Sequence, residues 1–141
     1  MSRPMRFSFL IAAALAAVSC GERNGGGASS EAAAPLTIEE QGRRAFSACA
    51  ICHSVKDPTE PGYASLVGPS LFGVVGAPSA HLSGYDYSRA MREANLVWDD
   101  ATLDAFLQNP QQIVPRTRMA FAGEPNVERR QAIIAFLKTL N

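Results

Sequence analysis

The strongest hydrophobic pattern in the chain lies near its C-terminal end, where apolar residues recur at the spacing of a helix. Asn126 precedes this pattern and is of a type that caps helix N-termini, so we predict a helix that begins after it. The apolar residues that this helix would bury are Val127, Ile133, Ile134, Phe136, Leu137 and Leu140.

A second helix is predicted to begin after Thr37. Thr37 and Glu40 fit a capping box, in which each side chain accepts a hydrogen bond from the backbone N–H of the other residue. The helix that follows would run into Cys49, with Phe46 facing inward.

A third helix is predicted where Asp99 or Asp100 can act as the N-cap, and Asn109-Pro110 would end it. Its inward-facing residues would be Leu103, Phe106 and Leu107. No strand-like alternation is visible, and the segments between helices hold most of the 11 glycines and 9 prolines. The pattern therefore predicts an all-α fold with long loops.

The N-terminal segment has the features of an export signal. Arg3 and Arg6 precede an uncharged, mostly apolar run from Phe7 to Val18. This run is shorter than the roughly 20 residues that a membrane-spanning helix needs. A core helix is the alternative, but the position of the run and the abrupt change at Cys20 favour a signal peptide over residues 1–19.

The end of this segment resembles the cleavage site of bacterial lipoproteins. The sequence Ala17-Val18-Ser19-Cys20-Gly21 would make Cys20 the lipidated first residue, although leucine is more usual than Ala17. The small residues also suit ordinary signal peptidase, which is the alternative. A lone thiol in an exported protein needs an explanation, and lipidation supplies one.

Residues 20–35 are predicted to be a flexible tether, because this stretch has little apolar surface to bury. The folded domain would then span residues 36–141. The chain has 13 basic and 13 acidic residues, and loss of Arg3 and Arg6 would leave it slightly acidic. There is no basic run, so we expect no nucleic-acid partner.

The segment Cys49-Ala50-Ile51-Cys52-His53 is the attachment pattern for c-type haem. Residues three apart on a helical turn lie on one face, so Cys49 and Cys52 can form thioethers with two vinyl groups on one porphyrin edge. His53 would then supply an imidazole nitrogen to the iron.

Other interpretations of this motif are weaker. A zinc site usually has four ligands, and the only other cysteine and histidine are Cys20 and His81. A thioredoxin-like redox pair would need a βαβ pattern around it, and a structural disulfide would not explain His53. We therefore predict one covalent haem c.

The sixth iron ligand decides what the iron can do, and three residues are candidates. Met119 lies in a loop that Pro115 stiffens and Gly123 allows to turn. Met91 lies in a helix-like stretch where methionine is more often core, and His81 lies in a small-residue loop where an exposed histidine is more common. We predict Met119.

His/Met ligation favours an electron carrier rather than an enzyme. The thioether is a soft ligand that favours ferrous iron and so raises the reduction potential. Because both axial positions are filled, no substrate reaches the metal, and the iron can only exchange electrons singly.

These features together resemble mitochondrial-type class I cytochromes c over about residues 37–141. The spacing from Gly84 to Met119 matches that family without gaps. The residues that carry the resemblance are Gly42, Phe46, the Cys49-to-His53 motif, Gly68-Pro69-Ser70-Leu71-Phe72-Gly73, Gly84-Tyr85-Asp86-Tyr87-Ser88, Trp98, Asn109-Pro110, the Pro115-to-Gly123 loop and Ile134-Ala135-Phe136-Leu137-Lys138.

The resemblance implies roles for several of these residues. Gly42 and Phe46 would lie where the first and last helices cross. The Pro69 carbonyl would accept a hydrogen bond from the second ring nitrogen of His53. Tyr87 and Trp98 would donate hydrogen bonds to a buried haem propionate, although ordinary aromatic core is the simpler interpretation from sequence alone.

The chain also departs from this family. Ala77 stands where an arginine often pairs with the propionate, and Phe106 where a tyrosine usually bonds to the methionine sulfur. Met91 replaces an asparagine, Arg116 replaces a glycine, and the segment from Ser54 to Gly68 is a few residues longer than usual.

We therefore expect a monomeric class I cytochrome c, anchored by lipid at the periplasmic side of a bacterial membrane. It would carry electrons between membrane oxidoreductase complexes. A soluble periplasmic protein is the alternative location. The alternative functions are a haem sensor or peroxidase-like protein with a displaceable Met119, and an electron-entry subunit of a larger oxidoreductase.

Overall fold

The structure is a computed structural model, and it describes residues 34–140. Its helices are α1 (Ile38–Ala45), a 3₁₀ helix (Phe46–Ala48), α2 (Arg89–Glu93), α3 (Asp100–Gln108), α4 (Pro110–Ile113) and α5 (Val127–Leu137). The predicted signal peptide, Cys20 and nearly all of the predicted tether lie outside the described residues.

The start of α1 is held by the predicted capping box. The Thr37 hydroxyl accepts a hydrogen bond from the Glu40 N–H (3.2 Å), and the Glu40 carboxylate accepts one from the Thr37 N–H (2.8 Å). The helix does not continue unchanged to Cys49. It tightens at Phe46, because the Cys49 N–H bonds to the Phe46 carbonyl three residues back (2.8 Å).

Helices α1 and α5 cross at Gly42. A Cβ atom there would lie 1.9 Å from the Ala132 carbonyl oxygen and 2.8 Å from the Phe136 Cβ. Only a glycine lets the two backbones approach this closely. One turn further along, the Phe46 and Phe136 rings pack with their centroids 5.2 Å apart.

Helix α3 begins at the predicted position, where the Asp99 carboxylate accepts a hydrogen bond from the Thr102 N–H (2.8 Å). Its three predicted core residues, Leu103, Phe106 and Leu107, are all buried. Asn109 ends α3 and also caps the short helix α4, in which Pro110 occupies the first turn. Asn109-Pro110 therefore starts a new helix as well as ending α3, whereas the sequence pattern predicts only the end.

Helix α5 begins after Asn126, whose side chain accepts a hydrogen bond from the Arg129 N–H (2.7 Å). Four residues of its predicted stripe are buried: Ile133, Ile134, Phe136 and Leu137. The prediction was wrong for Val127, which is 46 % exposed. Val127 is the first residue of the helix, and it lines an open surface groove together with Ile38.

A buried charge joins α3 to the start of α5. Arg130 is only 3 % exposed, and its Nε lies 2.8 Å from an Asp104 carboxylate oxygen. One of its terminal nitrogens donates to the carbonyls of Glu124 (2.9 Å) and Pro125 (3.0 Å). Every polar contact of this guanidinium is thus to the protein, which compensates for its burial.

Residues 34–140 contain no strand, and their one β-bridge joins Pro78 to Val97. The all-α prediction is confirmed. None of the helices in this range is long and apolar enough to cross a membrane.

The crossing of α1 and α5 predicts the effect of Gly42→Ala. Alanine normally stabilises a helix interior relative to glycine, but here its methyl group would overlap the Ala132 carbonyl. We expect the free energy of unfolding to fall by about 1–3 kcal/mol in urea titration. Glu39→Ala on the exposed side of α1 is the control and should change it by less than about 0.5 kcal/mol. A stabilised Gly42→Ala variant would contradict the close helix crossing.

Candidate functional site

The two motif cysteines lie on one helical turn. The N–H groups of Cys52 and His53 both bond to the Cys49 carbonyl, at 3.0 and 2.9 Å. Cys49 and Cys52 are unbridged and partly buried, and burial raises the pKa of the Cys49 thiol. The turn therefore presents two reduced thiols at the three-residue spacing that places side chains on one face.

His53 is held in one orientation. Its Nδ1 lies 2.8 Å from the Pro69 carbonyl oxygen, so a neutral ring donates this hydrogen bond and leaves Nε2 as an acceptor. Burial lowers the pKa of His53, and the bond to Pro69 only partly opposes this effect. The neutral imidazole that a metal ion requires is therefore favoured.

Gly68 packs directly against this imidazole. A Cβ atom on Gly68 would lie 2.5–2.9 Å from three atoms of the His53 ring. The Gly68 N–H donates to the Cys52 carbonyl (2.8 Å), which ties this segment to the motif. Gly68 belongs to the residues that carry the family resemblance, and its contact with His53 is the steric reason for a glycine there.

Ser70 fixes the position of Pro69. Its side chain is buried, and its hydroxyl donates to the Lys56 carbonyl (2.7 Å). The following residue, Leu71, donates its N–H to the Ser54 carbonyl (2.9 Å). The acceptor for His53 is thus supported by contacts with the first residues of the Ser54-to-Gly68 segment.

Met119 is half-buried and packs against the hydrophobic core. The Met119 N–H donates to the Thr117 hydroxyl (3.3 Å), and Thr117 is only 8 % exposed. Gln111 of α4 braces the same loop from the other side. Its amide nitrogen donates to the Thr117 carbonyl (3.1 Å), and its amide oxygen accepts from the Arg116 N–H (3.1 Å).

The role of Gln111 was not recognised in the sequence, because no local pattern links it to Met119. Arg116 lies between the two Gln111 contacts with φ of +66°, a left-handed conformation that favours glycine. This explains why glycine is the usual residue at the position of Arg116.

The far end of the methionine loop is joined to α3. Gly123 has φ of +110°, and a Cβ atom there would lie 2.1 Å from the Gln108 carbonyl oxygen. The next residue, Glu124, donates its N–H to the Leu107 carbonyl (2.8 Å). The loop is therefore fixed to helices at both ends.

Trp98 and Tyr87 lie in the segments around α2. Trp98 is 6 % exposed, and its ring packs on Phe106 with centroids 4.9 Å apart. The Tyr87 ring packs edge-on against Tyr85 at 4.8 Å. Burial raises the pKa of Tyr87, the Leu82 backbone lowers it, and the phenols of Tyr85 and Tyr63 raise it further.

The other two candidate ligands have different surroundings. Met91 is partly buried in α2 and packs against the core, as predicted. His81 is not the exposed residue that its small-residue loop suggested. It is partly buried, its Nδ1 is inaccessible to solvent, and burial lowers its pKa. Within residues 34–140 no three His, Cys, Asp or Glu side chains cluster as a metal site.

These residues fit a covalently attached haem. The thiols of Cys49 and Cys52 are free, the uncommitted nitrogen of His53 suits iron, and Gly68 leaves the imidazole room. Several half-buried apolar side chains pack against the core, and a large apolar group such as haem could cover their exposed parts. They include Val55, Leu71, Val75, Met91, Leu96, Ile113 and Met119. Within residues 34–140 only two inaccessible side-chain atoms, Tyr63 Oη and His81 Nδ1, lack a hydrogen-bond partner.

The chain is similar in sequence and in fold to several known proteins. No protein-family model matches it. It is 43 % identical over 99 residues to cytochrome c2 of Rhodomicrobium vannielii, covering 70 % of this chain and 76 % of that protein. It is 44 % identical over 102 residues to cytochrome c of Euglena viridis, covering 72 % and 95 %. The solved structure of cytochrome cH from Methylobacterium extorquens matches with a TM-score of 0.64 and 38 % identity, covering 70 % and 95 %.

The arrangement of the two thiols predicts that haem stays on the polypeptide when the protein is denatured. Thioether bonds from Cys49 and Cys52 would keep haem on the polypeptide during acid–acetone extraction, whereas haem held by its axial ligands alone would dissolve in the organic phase. The absorbance of the protein pellet measures the retained fraction. Cys49→Ser/Cys52→Ser, produced with haem added, is the control and should release all of its haem. Release of haem from the unaltered protein would contradict covalent attachment.

Proposed function

Because the chain belongs to the class I c-type cytochromes, we propose that it is a one-electron carrier whose haem iron is ligated by His53 and Met119. Its function is electron transfer rather than enzymatic catalysis, and its cofactor is one covalent haem c. The observation that carries the ligand proposal is the bracing of the Met119 loop by Gln111 and Thr117.

The haem supplies an iron that gains and loses a single electron. His53 offers this iron Nε2, because Nδ1 is committed to Pro69. That bond also raises the basicity of the ring and prevents it from rotating. The histidine therefore keeps one position in both oxidation states.

Met119 is proposed as the second protein ligand that would hold the iron. Its loop is tied to α4 through Gln111 and to α3 through Glu124, so the sulfur has a defined position before the ligand bond forms. A thioether favours ferrous iron and raises the potential relative to two nitrogen ligands. With His53 and Met119 as its two protein ligands, the iron would be closed to water and small molecules.

Tyr87 and Trp98 are proposed to donate hydrogen bonds to a buried haem propionate. Both are partly or fully buried, and both carry a polar group at the end of an aromatic body. The raised pKa of Tyr87 supports this role, because a protonated phenol keeps its hydrogen-bond donor. Trp98 is fixed by Phe106 and by the bond from its backbone N–H to the Ala77 carbonyl (2.9 Å), which leaves the indole N–H free to donate.

We propose that the carrier works as a monomer with redox protein partners in membrane oxidoreductase complexes. Arg118 next to Met119 is partly neutralised by Asp86, which lies 3.2 Å away and is 84 % exposed. Ile51 within the haem-attachment motif and Val67 next to Gly68 are exposed apolar residues. An ion-paired arginine together with exposed apolar surface favours docking that depends only weakly on salt.

The proposed location is the periplasmic side of a bacterial membrane, with Cys20 as the lipid-anchored first residue. The support is the sequence around Cys20 and its position directly after the predicted signal peptide. A flexible tether would let the carrier move between partners in the plane of the membrane.

The ligand proposal predicts the effect of Met119→Ala. Removing the thioether should open the site, give high-spin iron, admit carbon monoxide to the reduced protein and lower the reduction potential. Absorption spectra and a redox titration measure these changes. Met91→Ala is the matched control, because Met91 also packs half-buried against the core. It should lose stability and keep low-spin iron with a sulfur-to-iron band in the far red.

An unaltered protein that is already high-spin, or that takes up carbon monoxide as readily as Met119→Ala, would contradict the carrier proposal. That result would favour a haem sensor or peroxidase-like protein. Phe106 gives this alternative a specific basis, since it brings no hydroxyl to steady the sulfur.

The anchor proposal predicts that Cys20→Ser releases the protein from membranes or blocks its processing. Stable anchoring needs the two or three acyl chains of a bacterial lipoprotein, because one chain binds only marginally. The partition of haem absorbance between membrane and soluble fractions measures this. Ser29→Ala in the same predicted tether should leave the partition unchanged. A mature protein whose mass includes no lipid would refute the anchor.

A further inference from the structure

Two stretches of the chain carry no acidic or basic side chain. Residues 45–55 and residues 61–85 contain no Asp, Glu, Lys or Arg, although charged residues flank both stretches. The first stretch includes the haem-attachment motif, and the second includes Gly68 and Pro69, which contact His53. A surface that these two stretches form together would therefore carry no carboxylate, ammonium or guanidinium group.

The two uncharged stretches meet beside the haem-attachment motif. The Gly68 N–H donates to the Cys52 carbonyl (2.8 Å), so the residues that precede Gly68 lie next to the turn that carries the cysteines. The Tyr85 hydroxyl donates to the Val67 carbonyl (2.6 Å) and holds the same segment through its backbone. The position of Val67 beside the motif is therefore fixed by two hydrogen bonds.

Three large apolar side chains are exposed where the stretches meet. Val67 is 83 % exposed, Ile51 78 % and Leu66 47 %, and the first two are the most exposed large hydrophobic residues within residues 34–140. On a helical turn, Ile51 is rotated by about 100° from Cys52 and by about 200° from Cys49. It therefore points away from the face on which the thiols would bind haem. Exposed apolar residues that lie together mark interaction sites, and we call these three the apolar patch.

The place of the apolar patch indicates what kind of partner it fits. An electron carrier must bring its haem close to the redox centre of its partner, and Ile51 lies between the two cysteines that would hold this haem. The charges between the two stretches, Lys56, Asp57 and Glu60, are of mixed sign and favour no strongly charged partner. An anionic lipid surface attracts clusters of basic residues, and the two stretches have none.

We propose that Ile51, Leu66 and Val67 form a docking surface for a redox protein that presents apolar, uncharged atoms around its own redox centre. The proposal rests on the proposed function, which makes the chain a one-electron carrier. Association is driven by the burial of apolar surface rather than by attraction between charges. Three side chains bury only a small area, which suits a short-lived complex that separates after each electron.

A gold electrode coated with a methyl-terminated alkanethiol layer tests the chemistry of the patch directly. The haem-loaded protein should exchange electrons with this layer in cyclic voltammetry. The triple variant Ile51→Ser/Leu66→Ser/Val67→Ser should do so at least about tenfold more slowly, because it loses the apolar contact that brings the haem to the surface. Val127→Ser is the matched control, because it removes an exposed valine at the start of α5, and its rate should be unchanged.

A carboxylate-terminated layer on the same electrode gives the opposite comparison. The unaltered protein should exchange electrons with it more slowly than with the methyl-terminated layer. Faster exchange at the carboxylates, or equal rates for the triple variant and Val127→Ser at the methyl-terminated layer, would overturn the proposal.

The partner itself is tested by the rate at which solubilised membranes of the source organism oxidise the reduced protein. The KM of the triple variant should rise at least about tenfold at unchanged kcat, since only association is weakened. The KM of Val127→Ser should stay at its original value, and added salt should hardly change that of the unaltered protein. An unchanged KM in the triple variant would reject the patch.

Other occupants of the patch would give different results in the Cys20→Ser background, where no lipid anchor contributes. Binding to phosphatidylcholine vesicles that the triple variant lacks would assign the patch to lipid and overturn the proposal. Dimers in analytical ultracentrifugation that the triple variant lacks would assign it to a second copy, with the same consequence.

A failure of the proposed function looks different from a failure of the patch. An unaltered protein that passes no electrons to the membranes, or that has no sulfur-to-iron band, would contradict the carrier itself. A protein that passes electrons normally, with the triple variant equal to Val127→Ser, would reject only the apolar patch. The haem spectrum of each variant confirms that the haem is attached and the fold intact.

Discussion

The hydrogen bond between His53 and the Pro69 carbonyl is the contact on which the rest of the site depends. It fixes the tautomer of the ring and holds the plane of the imidazole, while burial keeps the ring neutral. The bond forms only because Gly68 has no side chain, since a Cβ atom there would overlap the ring. The Ser70 hydroxyl holds the backbone that carries the acceptor. An interaction between two atoms thus requires a glycine, a proline and a buried serine in succession.

Met119, the other proposed ligand, is positioned in a different way. Met119 lies in a loop rather than a helix, and its position comes from hydrogen bonds to α3 and α4 instead of from regular structure. Loops hold functional groups well when their backbone is tied to rigid elements. The core of α1, α3 and α5 supplies those elements, and the crossing at Gly42 brings the first and last of them together.

The helix starts were predictable because their signals are local. Thr37, Asp99 and Asn126 each accept a hydrogen bond from an N–H three residues later, so the sequence within one turn determines the cap. The haem-attachment motif was recognisable for the same reason, since its three residues act within five positions.

The features that sequence analysis missed depend on contacts between distant segments. Arg130 resembles an ordinary exposed helix residue until Asp104, 26 positions earlier, is placed beside it. His81 likewise follows small residues that suggest exposure, whereas the fold covers its Nδ1. Gln111 is one of two adjacent glutamines, and only the path of the loop shows that it contacts both Arg116 and Thr117. Such contacts leave no hydrophobic periodicity and no short motif in the sequence from which they could be predicted.

Arg116 links this architecture to electron transfer. Its left-handed backbone costs about 1–2 kcal/mol relative to glycine, and the loop keeps this conformation because Gln111 accepts from the Arg116 N–H and donates to the carbonyl of the next residue, Thr117. A ligand loop that tolerates such strain has little freedom to relax in another direction. A one-electron carrier functions best when its ligands move little between oxidation states. The two bonds of Gln111 restrict the movement of the loop and would therefore also restrict the movement of its ligand. The bond from the Met119 N–H to the Thr117 hydroxyl ties the residue proposed to bind the metal to this same rigid part of the loop.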